Sequence, residues 1–234
     1  MSENKKLSFV GHLEELRSRM IKSVVVIFVG ILGTYVFVNP ILPFLIEPVG
    51  KLVFIAPQEA LVARIKIAFF GGLFFSSPFV LYQIWQFVSG GLNQQERKYI
   101  RIFGPLSFIF FVLGVCFCYF IITPISMRFL LGFASDLMEP MITVSKYISF
   151  VGTLTLTFGV IFELPLVTLF LTKIEVITPG FLAEKRKQAV VIMFISAAVL
   201  TPPDVVTQCF MAIPLLLLYE LGIIFSKVAY KKQT

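Results

Sequence analysis

The sequence is poor in charge. Only 14% of its 234 residues are Asp, Glu, Lys or Arg, against roughly a quarter in an average soluble domain. With a mean hydropathy of +0.93 and long apolar runs, it reads as a polytopic membrane protein rather than a soluble domain. Histidine is nearly missing: His12 has no second histidine and no nearby cysteine with which to build a metal site. The three cysteines, Cys116, Cys118 and Cys209, all lie in apolar runs. A C-x-C pair within a helix sends its thiols to different faces, so it makes a poor disulfide or metal clip. All three read as small core hydrophobes. The chain also lacks G-x-S-x-G, H-E-x-x-H, a Walker loop and a dinucleotide fingerprint. The expectation is therefore no enzyme, no cofactor and no metal. A net charge of +7 would point to nucleic acid on a soluble chain. Here the placement of the charges matters more than their sum, and no nucleic-acid partner is expected.

What is present is organised by charges, prolines and glycines. They divide the apolar sequence into runs at about 23–38, 67–88, 102–122, 148–172, 189–200 and 205–225. Asn39-Pro40, Ser89-Gly90-Gly91, Thr123-Pro124 and Thr201-Pro202-Pro203-Asp204 read as stops, because Pro and Gly do not continue a helix cheaply. A span needs ~20 residues at 1.5 Å each. The fifth run has only 12, so its turn is expected below the lipid surface or under a thinned bilayer. The expected fold is all-α: one membrane domain over 1–234 with six transmembrane helices, the fifth and sixth short. Fifteen of the 20 Lys and Arg fall on the side of the two termini, which the positive-inside rule makes cytoplasmic. No cleavable signal peptide and no internal repeat is expected.

The segments between spans carry the first functional signals. Residues 8–20 form an amphipathic stretch, with Phe9, Leu13, Leu16 and Met20 on one stripe. It reads as an interfacial helix leading into the first span. Glu15 and Arg19 are an i, i+4 pair in the favourable order. The adjacent acids Glu14 and Glu15 bring no affinity for an anionic leaflet; they suit a basic peptide. Glu96 stands among Arg97, Lys98 and Arg101, and fits a solvated helix start as well as a binding role. The outer segment 39–61 holds Pro40, Pro43, Pro48 and Pro57, which favours a rigid, bent cap.

Two acids lie within membrane runs. Glu163 is about 22 Å along the fourth run at 1.5 Å per residue, where a charge costs ~2.5–3.5 kcal/mol on insertion scales. Pro165 follows two residues later and predicts a kink. A kink with an acid at the bend fits the concave wall of a bundle. Three roles fit this carboxyl: a hydrogen-bonded structural group, a proton relay in a small-solute transporter, or a polar foothold for something entering the bilayer sideways. Glu220 is less demanding, with Lys227 two turns away on the same face and free to snorkel.

Six pieces occur in a set order: "HLEELRSRM" at 12–20, "SSPFVLYQIWQFVSGGL" at 76–92, "ERK" at 96–98, "FGVIFELP" at 158–165, "TPPD" at 201–204 and "YELGI" at 219–223. Together they resemble the TatC family, the multispanning core of the twin-arginine protein translocase. The resemblance covers nearly the whole chain. It implies a receptor that binds twin-arginine signal peptides and helps transport folded proteins across the membrane on the proton-motive force. It implies small single-span partner subunits of the TatA/TatB type, an oligomeric assembly in the lipid bilayer, and a bacterial-type cytoplasmic membrane. Carried over by position, the signal-peptide surface falls on Glu15, Arg17, Met20, Phe87 and Glu96, the intramembrane acid on Glu163, and the outer cap around Pro48. The sequence departs from the family at "LNQQERK", where Asn93, Gln94 and Gln95 replace more basic or aromatic residues, which leaves partner preference open. The alternative is a proton-coupled small-solute transporter using Glu163 and Glu220; a purely structural subunit with Glu163 as packing glue is the third reading.

Overall fold

The computed structural model describes residues 9–50, 52–132, 141–200 and 205–231. They form α1 (Phe9–Val36), α2 (Val38–Ile46), α3 (Pro57–Gly90), α4 (Gln94–Phe117), a π-helical turn (Cys118–Ile122), α5 (Thr123–Leu131), α6 (Val144–Ile161), α7 (Leu164–Lys173), α8 (Pro179–Glu184), α9 (Arg186–Leu200) and α10 (Val205–Lys231). No strand occurs among the described residues, apart from one isolated bridge between Val53 and Thr143.

The local sequence explains where these helices run on and where they break. No proline interrupts 9–36, so the amphipathic stretch and the first apolar run merge into a single 28-residue helix. Thr123-Pro124, expected as a stop, does not end the third run. The chain widens into the π turn just before it, and Thr123 N–H reaches back five residues to Cys118 O. The wider turn absorbs the proline ring, and helix continues to Leu131. The kink expected at Pro165 is present. α6 stops at Ile161, Phe162 and Glu163 turn, and α7 starts with Pro165 in its first turn, where a missing N–H costs nothing. At the far end of α7, Glu175 takes a left-handed φ of 60°. Glu175 N–H bonds Thr172 O and Val176 N–H bonds Leu171 O, the Schellman pattern that closes a helix end.

Among the described residues, five helical segments are long and apolar enough to cross a membrane: Val10–Val36, Pro57–Gly90, Glu96–Leu131, Val144–Lys173 and Gln208–Tyr230. α9, with 15 residues, is about 22 Å long against a hydrocarbon core of ~30 Å. The last helix is not short as expected. It runs for 27 residues, because lysine is a good helix former and the basic residues at its end extend the helix instead of stopping it.

Helix pairs meet at glycines. A Cβ on Gly72 of α3 would lie 2.6 Å from the backbone of Ile31 in α1, and one on Gly114 of α4 would lie 2.5 Å from Phe158 O in α6. Small residues allow this close approach, which carries packing in lipid. α7 and α10 are joined by the buried hydroxyl pair Thr172–Ser226 at 2.6 Å. At one end of the bundle the segment that follows α1 and the segment that leads into α6 are clamped together. Val53 N–H bonds Ile142 O and Val144 N–H bonds Val53 O. Tyr147 Oη donates to Leu45 O at 2.9 Å, Tyr119 Oη donates to Phe44 O, and Lys66 Nζ donates to Ser145 Oγ at 2.7 Å. Pro48 lies, half-buried, in the turn between α2 and Gly50.

Two grooves lie side by side between α3, α4 and α6. One of about 520 Å³ is lined by residues including Phe44, Phe70, Tyr119 and Thr155. The other, about 420 Å³, includes Trp85, Ser107, Val160 and Glu163. Both are lined by Leu156, and the stacked Phe74–Phe111 pair stands between them. The cysteines divide as the C-x-C spacing requires: Cys118 is buried, Cys116 is exposed and lines the larger groove. Cys116 is thus not the core hydrophobe expected, because its face of α4 looks into the groove. Cys209 is half-buried.

Candidate functional site

The helices bring two acidic centres into being. The first lies where the start of α1 meets the end of α3. Glu15 Oε1 accepts two hydrogen bonds from Arg19, one turn on: 2.9 Å from Nε and 2.5 Å from Nη2. Arg19 Nη1 reaches across to Gln83 Oε1 of α3 at 3.1 Å, which fixes the guanidinium between the two helices. Glu15 Oε2 is buried and accepts no hydrogen bond. His12 Nδ1 is 3.9 Å from it, and the His12 ring stacks on Phe87 with centroids 4.4 Å apart. Room for this carboxylate comes from Gly90, where a Cβ would lie 2.8 Å from Glu15 Oε2.

Of the other residues expected here, Phe87 joins Glu15 through His12. Arg17 and Met20 are exposed on α1 and do not join this cluster. Glu96 sits in the first turn of α4, where its Oε2 accepts from Asn93 N–H at 3.0 Å in a capping box. A helix start was one of the two readings its sequence allowed, and this carboxylate does that work. Its charge also faces the amino end of the helix dipole. Gly90, which touches Glu15, precedes Glu96 by only six positions, so both acids belong to the same end of the bundle.

The second centre is Glu163. It is 8% exposed, at the break between α6 and α7, and lines the smaller groove. Its Oε2 accepts from Ser107 Oγ of α4 at 2.5 Å. Its Oε1 is buried and accepts no hydrogen bond. A buried oxygen without a donor is costly, and the groove beside it is otherwise almost wholly apolar. Glu220 is held differently from the expectation. It pairs bidentately with Arg186 at the start of α9, both contacts at 2.8 Å, because the helix hairpin brings Arg186 closer than Lys227. The segment Thr201 to Asp204 lies outside the described residues.

Sequence reasoning missed Gln83, Ser107 and the part played by His12. The available signal was a polar side chain inside an apolar run. Serine and glutamine are common enough there for it to be weak.

These features define a class: an all-helical, multi-pass membrane protein in which Glu15 and Glu163 are only half satisfied and the helices wall adjoining apolar grooves. Comparison with known proteins narrows it. The family described as Sec-independent protein translocase protein (TatC) matches residues 11–214. The chain is 44% identical to the Sec-independent protein translocase protein TatC of Carboxydothermus hydrogenoformans over 99% of its own length and 97% of that protein's. It is 42% identical to the TatC of Aquifex aeolicus over 95% of each. The crystal structure of a twin-arginine translocase receptor, TatC, superposes with a TM-score of 0.86 at 40% identity, covering 93% of this chain and 99% of that one. The chain belongs to the TatC family of Sec-independent protein translocase components. Its role is in protein transport rather than catalysis, and the solute-transporter alternative is not favoured.

Proposed function

We propose that this protein is the receptor and core of a twin-arginine translocase. Both termini face the cytoplasm of a bacterial-type cell. The Glu15 and Glu96 end binds signal peptides that carry paired arginines. Small single-span subunits of the TatA/TatB type join it, and the proton-motive force drives folded cargo across the membrane. α9 and α10 form the last hairpin of a six-span topology. Arg17, Met20 and Phe87 flank the peptide, Glu163 serves the segment that inserts afterwards, and the Pro48 region caps the outer side.

The observation that carries this reading is the free, buried Oε2 of Glu15 beside Gly90. Arginine pairs with carboxylate through a planar fork, and this acid already holds one arginine in that manner through its other oxygen. The sidedness rests on the bias of basic residues toward this end.

The test is binding of a twin-arginine peptide to the full-length protein in detergent. Glu15→Gln removes one charge. Glu96→Gln removes the other while keeping the capping-box hydrogen bond, so a loss of binding there cannot be blamed on an unravelled helix. Each is expected to weaken binding by about tenfold or more, the range for a charge-assisted pair. Peptides with both arginines reversed to glutamate should bind a Glu15→Lys, Glu96→Lys variant better than the wild type. Unchanged affinity in the double glutamine variant removes these acids from the site.

A further inference from the structure

We propose that the basic corner where α3 gives way to α4 is a binding site for a phosphate oxyanion, filled in the membrane by the headgroup of an anionic phospholipid. A cavity of about 450 Å³ opens there, lined by Arg97, Lys98 and Arg101 of α4 and by Gln86 and Ser89 of α3, with the buried Ile100 beneath. Arg97 and Arg101 are one turn apart and Lys98 adjoins them, a spacing at which like charges repel. Among the described residues no carboxylate pairs with any of the three. Glu96, their neighbour in sequence, is turned into the helix cap. Arg97 uses only Nε, on Leu92 O at 3.3 Å, so its two terminal nitrogens remain for a ligand. An unneutralised cluster of this kind, set in a cavity with amide and hydroxyl groups, is built to receive an anion with several oxygens.

The depth of the site selects the source of that anion. Tyr82 and Ile84 on α3 and Ile102 on α4 are exposed apolar side chains next to the cavity in sequence. The site therefore stands where lipid-facing surface changes to charge, the level at which phospholipid headgroups lie. A phosphatidylglycerol- or cardiolipin-type headgroup offers phosphate oxygens to the cations and glycerol hydroxyls to Gln86 and Ser89.

The test is native mass spectrometry of the full-length protein in detergent, titrated with equal amounts of phosphatidylglycerol and phosphatidylcholine. The wild type is expected to retain phosphatidylglycerol preferentially. Arg97→Gln, Lys98→Gln, Arg101→Gln should lose that preference by on the order of a hundredfold in affinity, from about fivefold per basic residue near the membrane surface. The same charge change elsewhere, Lys185→Gln, Lys187→Gln, Lys227→Gln, should leave it intact, and Arg97→Lys, Arg101→Lys should keep most of it. If the triple variant does not fold, Arg101→Gln alone carries the test with a loss of about fivefold. A parallel titration with inorganic phosphate separates the sources. Phosphate binding that needs the three cations, without any lipid preference, keeps the oxyanion site but makes free phosphate its occupant. Equal retention of phosphatidylglycerol by the wild type and the triple variant overturns the proposal.

Discussion

Glu15 and Glu163 each engage one carboxylate oxygen and leave the other buried without a donor, but their surroundings differ in kind. Glu15 is held by a cation, Arg19, at the charged end of the bundle, with the His12–Phe87 stack beside it. Glu163 is held by a neutral hydroxyl, Ser107, inside an apolar groove. A carboxylate already shaped around one guanidinium is prepared for another. One set in apolar surroundings is prepared for a hydrogen-bond donor arriving on an apolar segment. The contrast supports a division of labour in which arginines are read at the end of the bundle and Glu163 acts within it.

The comparison breaks most sharply at Glu163. Replacing it with leucine is expected to cut transport of a twin-arginine precursor at least tenfold while leaving peptide affinity and melting temperature unreduced, because an unsatisfied buried oxygen is removed. Transport into membrane vesicles and thermal melting in detergent read the two effects. Ser107→Ala should do the opposite to stability. It strands the whole carboxyl and is expected to cost roughly 1–2 kcal/mol. Adding Glu163→Leu to it should recover most of that loss, since removing both partners is nearly neutral. At the other centre, Gly90→Ala would put a methyl 2.8 Å from Glu15 Oε2 and push a flexible carboxylate aside. Peptide affinity is expected to fall two- to fivefold, about 0.4–1 kcal/mol, with transport of already bound cargo unaffected. The smallest effect belongs to Glu175→Gly, which relieves the left-handed φ of 60°. It should stabilise the protein by about 0.5–1 kcal/mol and change neither peptide binding nor transport.

Much of this architecture is legible in the sequence because lipid is an unforgiving solvent. A polytopic helical protein follows from the apolar runs, and Glu163 stands out because a carboxylate there is expensive. The Pro165 break follows from the missing N–H. Thr123-Pro124 misleads because proline stops a regular α-helix, but a π turn makes room for it. The length of α10 was hidden because its charged end reads as a stop although lysine extends a helix readily. The Glu15–Arg19 pair is visible as an i, i+4 spacing. Its tie to Gln83, and the Ser107–Glu163 bond, depend on helix pairs separated by 64 and 56 positions, which no local pattern reveals. Glu96 shows the limit from the other side: the same S/T/N-x-x-E pattern serves a helix cap, so its hydrogen bond alone does not distinguish structure from recognition.

The division of labour is tested most directly by photocrosslinking of a bound twin-arginine precursor from two exposed positions. Met20, 58% exposed, lies five residues beyond Glu15 on α1, and Val160, 64% exposed, lines the groove of Glu163. A crosslinker at Met20 is predicted to capture the segment around the paired arginines. One at Val160 is predicted to capture the apolar segment that follows, or a single-span partner, and not the arginines. Capture of the arginine motif from Val160, with none from Met20, would contradict the account.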